Sequence, residues 1–264
     1  MGNQPSAPQP GTSLRVIGAG LSRTGTASFS EALRILLQAP VYHGGTQLTL
    51  AATHELQPTI NLLSHYPPQT PSETALLRGL LAERLDGYAA VTDAPFSGLV
   101  EHLVALHPDA LVICTTRDPA SWVRSMEGLR GVVTGLFLRF ALLPLPGIRH
   151  FPAFVDALQR QWRHLYGTTG GGVTPETYHR HMAYLQRVVP ADRLVFVDVK
   201  DGWEPLCRAL GVQVPRDVEF PRINDSEAIA RRAEELVREG LKRWAVGFGA
   251  VGVAVVAYMA SGRR

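Results

Sequence analysis

The stretch LRVIGAGLSRTGTASFSEAL, Leu14 to Leu33, constrains this chain more than any other. It passes from aliphatic and β-branched residues, through a run of Gly, Ser and Thr, into the apolar spacing of a helix. That order predicts a strand, a small-residue loop and a helix. Such a loop aims several backbone N–H groups and the positive end of a helix dipole at one point, which favours a phosphate or sulfate. Two nucleotide fingerprints can be set against the letters. The dinucleotide pattern G-x-G-x-x-G needs glycine at position 23, where the chain has Arg23, and no acidic residue closes a second strand to meet a ribose hydroxyl. The ATP/GTP pattern G-x-x-x-x-G-K-[ST] begins with Gly20 and Gly25 but continues with Thr26 and Ala27. The lysine for the terminal phosphates and the hydroxyl for magnesium are both displaced. The loop reads as a relative of the nucleotide loop without its metal ligand.

The remaining letters supply a frame for that loop. A chain of 264 residues can bury one sizeable core, so one α/β domain with extra ends is expected. The formal charge is +3, yet lysine occurs only at Lys200 and Lys242. An arginine bias explains the basic balance as well as selection for anions does, and no nucleic-acid partner is expected. Cys114 and Cys207 are far apart, and the first lies in an apolar run, so both are expected as buried free thiols of a reducing compartment. The beginning of the chain has no apolar secretory region, and export through a signal peptide is not expected.

Residues 1–13 are polar and proline-rich and are expected to be disordered. They contain M-G-x-x-x-S, an acylation pattern at Gly2 that short sequences also produce by chance. The α/β domain is expected over 14–225, with a loop helix at 25–38, a short strand at PVYHGG and helical stretches near 48–64 and 72–85. YAAVTDAPF reads as a strand ending at Asp93 and halted by Pro95. A helix near 97–106 precedes DALVICTTRDP, whose continuous apolar run suits a central parallel strand. ASWVRSMEGL begins another helix, residues 131–190 are largely helical with breaks at PLPG and TTGGGVTPE, and RLVFVDVKDG and WEPLCRALGV form the last strand and its helix. Alternating strands and helices predict a parallel sheet with right-handed crossovers and ligands beyond the carboxyl ends of its strands. That rule puts the loop at 21–27, Asp93 and Arg117 on one rim.

SRTGTAS (Ser22–Ser28) and TRDPASWVRS, containing Arg117 and Ser125, each follow a strand and occur in the order of two motifs of a known family. The chain resembles the sulfotransferases, which have a P-loop-like α/β fold and use 3′-phosphoadenosine-5′-phosphosulfate (PAPS), over roughly residues 14–225. TDAP and FPRIN make it most similar to the branch often mislabelled as NAD-dependent epimerase/dehydratase. The first motif usually reads P-K-[ST]-G-T-[TS]; here Ser22 replaces proline and Arg23 replaces lysine. The resemblance implies a PAPS-dependent sulfotransferase. Its cofactor would be bound by Ser22, Arg23, Thr24, Gly25, Thr26, Ala27 and Ser28 at the 5′-phosphosulfate and by Arg117 and Ser125 at the 3′-phosphate. Arginine can fork two hydrogen bonds to a phosphate. Sulfuryl transfer needs no magnesium, so no metal is expected.

Arg23 keeps the charge of the usual lysine but not its compact donor, and is expected to act in catalysis. The acceptor, a hydroxyl or amine of a small molecule, glycan or lipid, also needs a general base. Asp93 is the first candidate, against the alternative that an Asp before Ala-Pro caps a turn and the next helix. His43 is the second candidate, against a plain loop residue. His164, His179 and His181 are expected on polar helical faces, without metal-ligand spacing. Arg222 is read equally as a nucleotide contact or a carboxylate partner. The acceptor is expected to enter over 131–190; in that segment the aromatics Phe137, Phe140, Phe151, Phe154, Trp162 and Tyr166 are expected mainly to pack, and Arg139, Arg149, Arg160 and Arg163 to face solvent.

After a charged amphipathic helix over 226–243, residues 244–260 carry no charge and are flanked by Lys242-Arg243 and Arg263-Arg264. At ~1.5 Å per residue this segment is about 25 Å long, slightly under the ~30 Å hydrocarbon core. Tryptophan and tyrosine at its ends, basic flanks and Ala245/Gly249 spacing favour a C-terminal membrane anchor over a buried helix. The catalytic domain would stay in the cytosol, and a homodimer through the tail is an open alternative. Two rival functions remain: a non-catalytic membrane-anchored nucleotide-binding adaptor, and a P-loop kinase or NTP hydrolase, which the absent G-K-[ST] ending disfavours.

Overall fold

The computed structural model describes residues 4–169, 172–223 and 225–261, with the backbone alone for 225–228. Five short strands form one parallel sheet in the order β2-β3-β1-β4-β5: β1 (Val16–Gly18), β2 (Val41–His43), β3 (Ala90–Thr92), β4 (Leu111–Thr115) and β5 (Leu194–Val197). Val16 lies level with Ala90 and Leu111, and Ile17 with Val91 and Val112. The alternation of each strand then sorts side chains to two faces. Val16, Ala90 and Ile113 pack with Phe29 and Leu33 of α1 (Thr26–Leu37) and Trp203 and Leu206 of the late helix Trp203–Leu210. Ile17, Val91 and Val112 pack on the other face with the helices lying between α1 and β5. Helices on both faces of a parallel sheet are the α/β architecture expected from the sequence.

The helices between the strands are α2 (Gly44–Leu50), α3 (Ala52–Ser64), α4 (Pro71–Leu85), α5 (Val100–Leu106), α6 (Pro119–Val133), α7 (Leu136–Leu142), α8 (Phe151–Tyr166) and α9 (Pro175–Val188); α10 (Trp203–Leu210) and α11 (Asp225–Ser261) follow β5. The helical stretch expected near 48–64 is corrected to two helices. The His43 ring accepts the Thr46 N–H and opens α2 early, and the chain turns at Ala51.

Residues 4–13 form no helix or strand, but the expectation of disorder is corrected for this stretch. Gln47 and Tyr88 side chains both donate to the Ser6 carbonyl, and the Gln9 N–H donates to the Gly87 carbonyl. These hydrogen bonds hold a polar, proline-rich segment that could not bury a core of its own. The acylation pattern at Gly2 lies outside the described residues. At the other end, the expected amphipathic and apolar segments join in one 37-residue helix, α11.

Candidate active site

The loop after β1 is shaped by close approaches. A Cβ at Gly20 would come within 1.9 Å of Thr115 Oγ1, so only glycine lets β1 and β4 meet there. Thr24 Oγ1 donates to the Leu21 carbonyl at 2.7 Å and lies 2.5 Å from Thr115 Oγ1. Gly25, at φ +91°, is the N-cap of α1 and supplies no side-chain cap. The first-turn N–H groups of Thr26, Ala27 and Ser28 have no partner within their helix. They give the loop the anion-favouring helix start read from its sequence.

The loop is braced from three other elements. Trp122 of α6 donates its indole N–H to the Ser22 carbonyl at 2.9 Å. Arg117, just beyond β4, donates from Nη1 to the Arg23 carbonyl at 2.9 Å, while its backbone N–H donates to the Tyr178 hydroxyl. Arg23 donates from Nε to Ser125 Oγ at 3.2 Å. The structure therefore gathers Arg23, Arg117 and Ser125 at one spot. The segment carrying Arg222 also reaches the loop, because the Ile223 N–H donates to Ser28 Oγ at 2.9 Å. The Arg222 side chain itself is exposed.

Asp93 closes the opposite side. Its Oδ1 accepts the Ser22 hydroxyl at 2.5 Å, and its Oδ2 accepts the Gly45 N–H at 3.0 Å and faces His43 Nε2 at 3.5 Å. His43 Nδ1 accepts the Thr46 N–H at 3.1 Å, which puts the ring proton on Nε2, toward Asp93 and toward Thr26 Oγ1. The Asp93 backbone carbonyl accepts the Phe96 and Ser97 N–H groups, so the turn is closed by main chain and the carboxylate points across to the loop. Arg23 and Asp93 have φ of 74° and 71°. Left-handed backbone at a non-glycine residue costs about 1 kcal/mol or more, and such residues gather where a site demands them.

These polar groups form one end of a cavity of about 280 Å³. Ser22, Arg23, Thr26, His43 and Asp93 line that end; the rest is mostly apolar, with Leu138 and Leu142 of α7, Phe154 and Leu158 of α8, and Ile229 and Leu236 of α11, and with Arg130 and Arg232 also on its lining. Sequence reasoning named the polar end and put acceptor entry over 131–190, which holds the α7 and α8 part of this wall, but missed the α11 part and the Ser22–Asp93, Gly45 and Trp122 hydrogen bonds. Ile229, Ala233 and Leu236 recur at helical spacing, a legible apolar stripe whose target was not. Of the aromatics, Phe154, Trp162 and Tyr166 are buried, whereas Phe137 and Phe140 are exposed. Arg139 pairs with Asp156 of α8 rather than facing solvent alone.

One histidine departs from its expected place. His164 and His179 are exposed, but His181 is fully buried on α9. Its Nε2 donates to the Ala19 carbonyl at 2.7 Å and its Nδ1 accepts the Tyr166 hydroxyl at 2.8 Å. Burial pushes its pKa down to about 4, so the ring is neutral and holds the entry to the loop. Its neighbours at three- and four-residue spacing, Thr177, Tyr178, Tyr184 and Leu185, are buried as well, so the helical period was the signal that would have placed it.

A family model described as the sulfotransferase domain matches residues 15–229. The chain belongs to this sulfotransferase family. It is also 31% identical, over 225 residues, to the Ava biosynthesis cluster protein M of Aspergillus versicolor, an alignment covering 83% of this chain and 84% of that one. The sulfotransferase match spans the loop, β4, α6 and the cavity wall up to the start of α11. Among the described residues no group of three or more His, Cys, Asp or Glu side chains is placed to hold a metal ion.

Proposed function

We propose that this sulfotransferase-family protein transfers a sulfuryl group from PAPS to a hydroxyl of an apolar small molecule. One observation carries the reading: an uncapped helix start and Arg23, which Arg117 and Ser125 contact from behind, lie with the Asp93 carboxylate at the polar end of a largely apolar cavity. PAPS, when bound, supplies an activated sulfuryl group on a nucleotide leaving group. The residues present fit it. The amides of Gly25, Thr26 and Ala27 with Arg23 suit the 5′-phosphosulfate, the Thr24 amide being turned to the Leu21 carbonyl, and Arg117 and Ser125 suit the 3′-phosphate. Both latter residues already touch Arg23, so the two cations serve neighbouring anions.

Asp93 takes the proton of the acceptor hydroxyl. The Ser22 hydroxyl, Gly45 N–H and His43 Nε2–H orient its carboxylate. With its proton on Nε2 and Nδ1 engaged by Thr46, His43 acts as a positioning residue and not as the base itself. The apolar wall selects the acceptor, excluding water and burying carbon.

The apolar half of α11 anchors the protein in a membrane, with the catalytic domain on the cytosolic side. Its support is that the apolar window of the Ile229–Ser261 span is 0% buried, unlike a core helix of a soluble domain. The test of function is incubation of the full chain with radiolabelled PAPS and phenols and alcohols of rising apolarity. Label should pass to the more apolar acceptors and be lost with Asp93→Asn. Failure with every acceptor, while the bisphosphate product still binds, would contradict the enzymatic reading.

A further inference from the structure

The wall of the cavity has an outer side. On α7, Leu136, Phe137, Phe140 and Leu143 recur at three- and four-residue spacing and are 83%, 60%, 43% and 55% exposed. Leu138, Ala141 and Leu142, on the other side of the same short helix, are buried, and Leu138 and Leu142 line the cavity. Arg139, the one charged residue of α7, is tied to Asp156. What remains outside is an apolar ledge that the described residues cover only at Phe140.

α11 is clamped to this ledge where its apolar half begins. Gly240 lies so near the Ala141 carbonyl that a Cβ would meet its oxygen at 1.9 Å. Trp244 donates its indole N–H to the Phe140 carbonyl at 3.0 Å and stacks on the Phe140 ring, centroids 4.8 Å apart. Arg243 donates to the Pro144 carbonyl. Beyond this clamp, Val246, Phe248, Val251, Val253, Val256, Tyr258 and Met259 are exposed on every side of the helix. A second copy of the chain would cover one stripe of such a helix, whereas lipid covers its whole circumference. The ledge is continuous with that surface, level with the tryptophan that marks a membrane boundary.

We infer that the exposed face of α7 lies in the bilayer interface beside α11, so that the domain rests on the membrane with its cavity wall at the lipid surface. This rests on the anchor reading of α11. Two contacts with the bilayer, one spanning and one lying in the interface, fix the orientation of the domain, which a single flexible tether would not do. An apolar acceptor dissolved in the lipid then reaches the cavity across α7 without passing through bulk water.

The test uses the full chain in phosphatidylcholine vesicles. Both native thiols are buried, so single cysteines at Phe137→Cys, Val251→Cys and Glu204→Cys accept an environment-sensitive fluorophore selectively. Labels at 137 and 251 should shift to the blue and be quenched by nitroxide lipids, with headgroup-level nitroxides quenching 137 more and acyl-chain nitroxides 251 more. The label at 204, on α10 across the sheet, should stay aqueous. Quenching at 251 with an aqueous signal at 137 would overturn the ledge while sparing the anchor. Aqueous signals at both would overturn the ledge and the anchor together. None of these outcomes depends on PAPS or on turnover, so failure here is distinct from failure of the sulfotransferase reading.

Discussion

The two ends of the cavity are built in different ways. The polar end comes from strand tips and tight loops, fixed by hydrogen bonds such as Ser22–Asp93 and Trp122–Ser22 and by glycines that no other residue can replace. The apolar wall comes chiefly from faces of α6, α7, α8 and α11, which meet mainly by burial, with the Arg139–Asp156 and Trp244–Phe140 hydrogen bonds tying α7 to α8 and α11. Directional groups tolerate little displacement, and apolar packing tolerates changes of shape that keep its volume. The polar end is therefore suited to one chemistry, and the wall to choosing what that chemistry acts on.

The largest effect should follow from breaking the proton acceptor. Asp93→Asn is expected to lower transfer by about a hundred- to ten-thousand-fold, the span of general base catalysis. Affinity for 3′,5′-adenosine bisphosphate, read by calorimetry, should remain. Equal losses of both would make Asp93 a structural support of the loop.

Acid should separate the two ends next. The folded pKa of His181, about 4, lies below its unfolded value of ~6.5, so the unfolded chain binds the extra proton. Its contribution is fully present above about pH 6.5 and is lost as pH falls toward 4, up to a limit on the order of 3 kcal/mol. Burial lowers the pKa of His102 as well, in the same direction. Thermal melting at descending pH should show the loss, and His181→Gln should flatten it, whereas Leu158→Ala in the wall should destabilise equally at each pH.

Arg117→Ala should weaken bisphosphate binding by about 10- to 100-fold, the worth of hydrogen bonds to a charged group, with acceptor KM unchanged. Leu236→Ala should do the reverse. Removing its apolar contact is expected to raise KM for an apolar acceptor by about tenfold, with bisphosphate affinity unaltered. Crossed effects in either variant would show that the two ends are not independent.

This contrast also explains what could be read from the sequence. Loop, strands and polar end were legible because strand–loop–helix patterns are local: Gly20, Gly25 and Arg117 stand next to the elements they serve. The parallel sheet followed from the alternation of strands and helices, and the interior place of β4 from the apolar run at Leu111–Thr115, whereas the strand order came only with the structure. The acceptor side over 131–190 was legible only as a segment, and the α11 part of the wall was not, because α11 returns from far along the chain to lie over α6 and α7 and no local pattern records that meeting. His43 was undervalued for a similar reason. Two glycines after it suggest a loop, but its partners Asp93 and Thr26 come from separate elements. His181 was misplaced because its residue type was weighed over its spacing: Tyr178, Tyr184 and Leu185, three and four positions away, share its buried face.

The most direct test of the central claim is a calorimetric titration of the full chain in detergent with 3′,5′-adenosine bisphosphate, beside ATP, NAD and Arg117→Ala. The account predicts micromolar binding of the bisphosphate, absent or much weaker for ATP and NAD, and strongly reduced in the variant. No binding of the bisphosphate, or equal binding of ATP, would contradict it and leave the loop as an inherited fold without its sulfuryl donor.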